Sequence, residues 1–170
     1  QTTYSLADAF RIVSGLRYSE DTFTTDVTNF LNVESFQEEG TTDEITSRVV
    51  AEVDFSEDLM GYFALARGFK PGGSNLTFGF DDDNAPPMVF PTFEAETVDS
   101  VEFGLKSTFA DGAARANIAV FSYTYENLQF QATDPDIYRG GVANIPESEM
   151  SGLEVEFTGF LTDSLSLDMN

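Results

Sequence analysis

Period-two alternation of apolar and polar residues is the feature that most constrains what this chain can fold into. In residues 101–109, Phe103 and Leu105 alternate with Glu102. Successive side chains of a β-strand point to opposite faces of a sheet, so this pattern predicts strands with one apolar and one polar face. Helical periodicity is hard to find, and the chain is predicted to be all-β. The same alternation occurs in residues 9–19, 45–55, 153–157 and 165–169.

The connections between these stretches alternate between short and long. Loops of more than about 12–15 residues are unusual within a compact soluble domain. Short turns at one end and long loops at the other are the layout of an antiparallel up-and-down transmembrane β-barrel, whose apolar phase faces lipid. The short polar links are predicted at residues 56–58, 110–113 and 161–164, and the long links at residues 28–41, 69–96 and 132–149.

The distribution of basic residues agrees with a barrel. A charge on the lipid face at mid-membrane costs about 2–4 kcal/mol, so basic residues are expected on the polar phase. A soluble all-β sandwich that binds carbohydrate or another ligand would sort its charges in the same way, and this alternative stays open at this point. The stretches 59–67 and 114–131 carry apolar or aromatic side chains on both phases, so their faces are not assigned. The basic residues that fall on the polar phase are Arg11, Arg17, Arg48, Lys106 and Arg115.

Composition excludes several classes of function. The chain has 170 residues, 8 Lys+Arg and 30 Asp+Glu, and a formal net charge of -22 disfavours binding to nucleic acid. Its 41% hydrophobic content, with 17 Phe and 6 Tyr, is too high for a disordered acidic tail. The absence of Cys and His excludes Cys-based zinc sites, histidine-containing triads and Cys nucleophiles. The sequence therefore predicts neither an enzyme nor a cofactor.

Paired carboxylates occur two residues apart, at Glu52 with Asp54 and at Glu154 with Glu156. Each pair lies on one face of its strand, as an acid–base pair would. Chance pairs are expected in a chain with 30 acidic residues, so we interpret both as charges that face the lumen or solvent.

Two loop motifs suggest ligands but do not match a known site. The glycine-rich stretch 68–74 resembles a phosphate loop, but its lysine precedes the glycines and no helical pattern follows. The acidic run Asp81–Asp83 lacks the glycine and distal glutamate of an EF-hand loop. We interpret the first as the end of a strand and a turn, and the second as a solvated loop, with calcium binding left open.

The order of five phrases resembles the barrel of TonB-dependent outer-membrane receptors. Each phrase is only moderately specific, but all five follow one another in the family's order and cover the chain from about residue 16 onward. The phrases are GLRY at 15–18, YFALARGFKPGG at 62–73, ETVDSVEFGLK at 96–106, FSYTY at 121–125 and GLEVE at 152–156.

This resemblance implies a 22-strand barrel in the outer membrane of a Gram-negative bacterium, closed by a plug. It also implies uptake of a scarce ligand, often a ferric siderophore, driven by the TonB complex. We expect residues 1–170 to be a middle piece of the wall, about seven strands, with the plug, the TonB-contacting segment and the C-terminal strands outside it. The implied partners are outer-membrane lipid, TonB and a small ligand such as a ferric siderophore, a vitamin or a glycan.

The resemblance fixes no binding residues, so ligand contacts are predicted from physical reasoning alone. They should lie on long loops and in the upper lumen, where basic or aromatic groups attract an anionic chelate. The candidates are Arg67, Lys70, Tyr138 and Arg139. The acidic balance of the chain argues against a general funnel for anions, and the identity of the ligand does not follow from the sequence.

Overall fold

The computed structural model describes residues 1–29, 34–75, 92–134, 139–162 and 165–170. In these ranges the chain is all-β, as predicted, and no helix there is long and apolar enough to cross a membrane. The strands are β1 Thr2–Ala7, β2 Phe10–Asn29, β3 Glu34–Ser56, β4 Leu59–Lys70, β5 Gly73–Ser74, β6 Thr92–Phe93, β7 Glu96–Phe109, β8 Ala114–Asp134, β9 Arg139–Thr162 and β10 Leu165–Met169.

Eight of these strands form one antiparallel sheet in the order β1-β2-β3-β4-β7-β8-β9-β10. Within the described ranges, the eight wall strands pair in the order in which they follow along the chain, and the two-stranded sheet of β5 and β6 lies between β4 and β7 in sequence. This is the up-and-down connectivity predicted from the sequence. The described part has eight wall strands rather than about seven. The additional strand is β1, which has six residues and precedes the first alternating stretch at residues 9–19.

The register separates an apolar face from a polar face. Directly opposed residues of an antiparallel pair lie on the same side of the sheet, so a row can be followed across the strands. One apolar row runs through Ile12, Ala51, Phe63, Phe103, Val120 and Leu153. This row assigns the two stretches that the sequence left open: Phe63 in β4 and Val120 in β8 belong to the apolar face.

The connections at one end of the sheet are short, as predicted. Asp58 donates its backbone N–H to Ser56 Oγ at 3.2 Å in the turn after β3. In the turn after β7, Ala113 donates to the carbonyl of Ala110 at 3.0 Å, and Gly112 provides the positive φ of 89° that glycine adopts most easily. The link predicted at 161–164 includes residues 163 and 164, which lie outside the described residues. A further short turn joins β1 to β2.

Two of the three predicted long loops were wrong. Most of residues 28–41 and 132–149 continue as strand, so β2, β3, β8 and β9 have 20, 23, 21 and 24 residues. About 10 residues are enough to cross a membrane, so these hairpins extend far beyond it. Beyond the membrane both faces of a strand meet water, and the alternation that reveals a strand in a sequence disappears. The third loop does interrupt the wall, between Lys70 and Glu96.

The sheet has almost no buried core. Among the described residues, the buried hydrophobic side chains are small, namely Val50, Ala64, Ala114 and Ala143. Large apolar side chains are instead exposed on the apolar face, as with Phe103 at 54% and Leu153 at 64%. A water-soluble protein would need a second layer over this face. A sheet whose apolar face meets lipid needs none.

Candidate functional site

The polar face carries the charged and aromatic side chains from which a site could be built. The five basic residues predicted on this face all lie there. One row of this face passes through Arg11, Glu52, Tyr62, Gly104, Ala119 and Glu154. A second row, farther from the short turns, passes through Gly15, Arg48, Ala66, Ser100, Tyr123 and Met150.

A single arginine forms hydrogen bonds with both carboxylates of the first pair, Glu52 and Asp54. Arg11 Nε donates to Glu52 Oε2 at 3.1 Å, and its two terminal nitrogens donate to the two oxygens of Asp54. An arginine fork of this kind holds a carboxylate at two points. Because both carboxylates bind one guanidinium at the end with short turns, we interpret this cluster as structural, and its place on the polar face agrees with the sequence interpretation that the pair faces the lumen or solvent.

A second cluster lies at the centre of the polar face. The Tyr62 hydroxyl donates to Glu102 Oε1 at 2.5 Å, and Lys106 Nζ lies 5.3 Å from the centroid of the Tyr62 ring. The ring covers Gly104, where a Cβ atom would come within 2.4 Å of Tyr62 Cε1. Absence of a side chain at position 104 therefore allows the tyrosine to lie flat across the sheet and reach the glutamate.

Strand β8 contributes an aromatic wall to the same face. Phe121 lies over Gly152, where a Cβ atom would be 2.6 Å from Phe121 Cζ. The Phe121 and Tyr123 rings stack with centroids 4.8 Å apart. Asn117 donates to Glu156 Oε2 at 3.0 Å lower on the same strand pair. The register thus places Phe121, Tyr123 and Tyr125 of β8 on the polar side, an assignment that the sequence could not make.

An open groove of about 770 Å³ lies farther along the polar face, toward the long hairpins. Gly15 is directly opposite Arg48, and Arg17 is directly opposite Thr46, so the two arginines are diagonal neighbours. Diagonal neighbours of this kind are about 7–8 Å apart, within reach of two long side chains. Both side chains are exposed, and neither forms an ion pair with any residue that the structure describes.

The candidate ligand contacts from the sequence are not brought together. Arg67 lies on the same side of β4 as the apolar face and donates to Asp99 Oδ2 at 2.8 Å. Lys70 is exposed at the end of β4. Tyr138 is outside the described residues, and of Arg139 the structure describes the backbone at the start of β9. Their contact with a ligand stays a prediction.

Sequence reasoning did not identify the groove beside Arg17 and Arg48. It placed both on the polar phase but did not pair them, because their proximity depends on the register between β2 and β3. The relevant signal was the glycine at position 15, which the register places opposite Arg48. No atom lies within 4 Å of where its Cβ would be, so the space beside Arg48 is open.

Three amide side chains attach the segments on either side of β5 and β6 to the β8–β9 hairpin. Gln129 Nε2 donates to the carbonyl oxygens of Pro71 at 2.9 Å and Glu94 at 3.1 Å. Asn144 accepts from the Glu94 N–H at 2.8 Å and donates back to its carbonyl at 3.0 Å. Asn75 bonds both the N–H and the carbonyl of Val142, as a neighbouring strand would.

No group of three or more acidic side chains with the spacing of a metal site occurs within the described ranges. The run Asp81–Asp83, for which calcium binding was left open, lies outside them. The described polar face offers charged groups, hydrogen-bonding groups and aromatic rings that could recognise a ligand.

Comparison with known proteins agrees with this arrangement. The chain matches the family described as TonB dependent receptor-like, beta-barrel over residues 1–170. It is 28% identical to the pesticin receptor of Yersinia enterocolitica and to that of Yersinia pestis, with 99% of this chain and 24% of each relative covered. The chain thus spans about a quarter of the length of these curated relatives.

The fold resembles solved receptor structures. The ferric yersiniabactin uptake receptor FyuA from Yersinia pestis matches with a TM-score of 0.75 and 24% identity, covering 98% of this chain and 24% of that one. The siderophore receptor PiuA from Acinetobacter baumannii matches with a TM-score of 0.72 and 20% identity, covering 98% and 23%. These similarities support the fold.

These matches agree with the predictions of a transmembrane barrel in the Gram-negative outer membrane and of a protein that is not an enzyme. In such a barrel the apolar face contacts lipid and the polar face lines the lumen. The soluble sandwich is no longer needed as an alternative. The chain belongs to the TonB-dependent receptor-like β-barrel family and forms an open part of the barrel wall.

Proposed function

We propose that the protein to which this wall belongs imports a scarce ligand across the outer membrane in a TonB-dependent manner, with a ferric siderophore as the foremost candidate. The observation that carries the proposal is the match of the entire chain to the receptor barrel family. The names of its relatives support the ligand class, since one solved neighbour is a receptor for ferric yersiniabactin uptake and another a siderophore receptor. Vitamins and glycans are the alternative cargoes.

The described wall has the features that this function needs. Its lumen face presents charged and aromatic groups rather than a closed apolar core, and the hairpins β2–β3 and β8–β9 extend beyond the membrane on the side where ligand arrives. We propose that residues 1–170 are a middle piece of the barrel, and that plug and TonB contacts are supplied by other parts of the protein.

An uptake experiment tests this proposal. Cells with and without the full-length gene receive radioactive iron as ferric siderophores, alongside labelled vitamins and glycans. We expect one cargo whose uptake requires both the gene and an energised inner membrane, and a protonophore should abolish that uptake. Uptake of every cargo at equal rates in the two strains would contradict the proposal. Gene-dependent uptake that survives the protonophore would show passive diffusion instead.

A further inference from the structure

The groove beside Arg17 and Arg48 differs in charge from the rest of the chain. The whole sequence has 8 basic and 30 acidic residues. The charged residues that line the groove from the polar face are two arginines, Arg17 and Arg48, and one carboxylate, Asp21, since Arg67 lies on the opposite side of β4. Arg67 is already paired with Asp99, but Arg17 and Arg48 form no ion pair with Asp21 or with any other described residue. A local basic site therefore lies within a strongly acidic wall.

The groove also offers space and a further hydrogen-bond donor. Its floor between the two arginines and β7 is formed by small residues, namely Gly15, Ala66, Gly68 and Ser100. Ser19 lines the same groove, and its hydroxyl is buried without a hydrogen-bond partner among the described residues. A buried hydroxyl without a partner is unfavourable, and an acceptor that reaches it would satisfy it.

The groove lies toward the side of the lumen from which a ligand enters. Arg17 lies seven residues after the start of β2, about 23 Å along the strand from the short turns at a rise of about 3.3 Å per residue. Because the strands of such barrels are tilted by about 35–45°, this corresponds to about 16–19 Å of height, in the outer half of an apolar band about 25 Å tall. A molecule entering from outside meets this level of the wall before the middle of the lumen.

From these observations we propose that Arg17 and Arg48, with the Ser19 hydroxyl, form an oxyanion-binding site for an incoming small molecule, and hence that the cargo carries a carboxylate or a comparable oxyanion. The guanidinium fork matches such groups with two parallel hydrogen bonds. This inference rests on the proposed function and narrows its cargo class. It also revises the expectation from overall charge that this part of the wall would not attract anions.

Arginine labelling in the purified full-length receptor tests the site without knowledge of the natural cargo. Phenylglyoxal modification of each arginine is followed by peptide mass spectrometry, with citrate as the oxyanion probe and its uncharged triamide as the control, at constant ionic strength. Arg115 is the matched reference, because it is also an exposed arginine on the polar face but lies at the end with short turns. Citrate at about ten times its Kd should slow labelling of Arg17 and Arg48 about tenfold.

Each outcome decides the proposal. Protection of Arg17 and Arg48 by citrate, but not by the triamide and not at Arg115, supports it, and an Arg48→Gln variant should then lose protection at Arg17. Equal labelling of all three with and without citrate overturns it. Failure of Arg17 and Arg48 to react even without citrate also overturns it, since another part of the receptor would then cover them. Labelling needs no transport, so failure of the site is distinguishable from failure of uptake.

Discussion

The close fit of Tyr62 over Gly104 predicts that Gly104→Ala destabilises the barrel. A Cβ atom at this position would lie 2.4 Å from Tyr62 Cε1 and Cζ and 2.5 Å from the hydroxyl oxygen. These atoms belong to the far end of a side chain, so the ring is expected to move rather than the backbone. A displaced ring loses its 2.5 Å hydrogen bond to Glu102 and its contact with Lys106.

The size of the effect follows from these two contacts. A hydrogen bond to a charged group contributes about 1.5–3 kcal/mol, and an exposed cation–π contact about 0.5–1 kcal/mol. Replacement of glycine by alanine also restricts the unfolded chain, which returns about 0.4–1 kcal/mol. We therefore expect Gly104→Ala to lower the free energy of unfolding by about 1–3 kcal/mol.

The matched control is Gly15→Ala. Gly15 lies on the same polar face, but no atom lies within 4 Å of its would-be Cβ. This variant should be neutral or stabilised by up to about 1 kcal/mol. Both full-length variants are unfolded in denaturant from lipid vesicles, with far-ultraviolet circular dichroism as the signal. Equal stabilities of the two variants would refute the reasoning, as would retention of the Tyr62–Glu102 bond in a structure of Gly104→Ala.

Three further predictions follow from individual contacts. Arg11→Gln leaves two neighbouring carboxylates without their cation and should lower the denaturant midpoint of unfolding, a loss that Asp54→Asn should partly reverse in the same unfolding assay. Gln129→Ala removes the bonds to Pro71 and Glu94, so backbone amides at 94 and 95 should exchange with deuterium faster, while amides at 101–105 stay unchanged. Arg67→Ala should cost less than about 1 kcal/mol, because its pair with Asp99 is exposed; a larger loss would contradict the assignment.

The fold was predictable where a strand separates lipid from the lumen. In β7 the alternation of Phe103 and Leu105 with Glu102 assigns both faces from the sequence alone. The same approach failed in β4 and β8, since Tyr62 and Phe121 are large aromatic residues on the lumen side. Their location follows from partners across the sheet, Gly104 and Gly152, and the sequence does not reveal that register.

The candidate site was less predictable than the fold. The sequence indicated basic groups on long loops, yet residues 28–41 and 132–149 are mostly strand, and Arg67 is paired with Asp99. Arg17 and Arg48 are separated by 31 positions and meet only through the β2–β3 register. The placement of basic residues on the polar phase predicted which face of the sheet the two arginines occupy. Their neighbours on that face depend on which residues of β2 and β3 are paired.

The central claim, that the apolar face meets lipid and the polar face meets the lumen, is tested most directly by cysteine labelling at adjacent positions of β7. Phe103→Cys and Glu102→Cys are introduced into the full-length receptor in native membranes and exposed to a water-soluble thiol reagent. Position 102 should label readily, whereas position 103 should resist the reagent until the receptor is unfolded in denaturant. Equal labelling of the two positions in intact membranes would contradict the account.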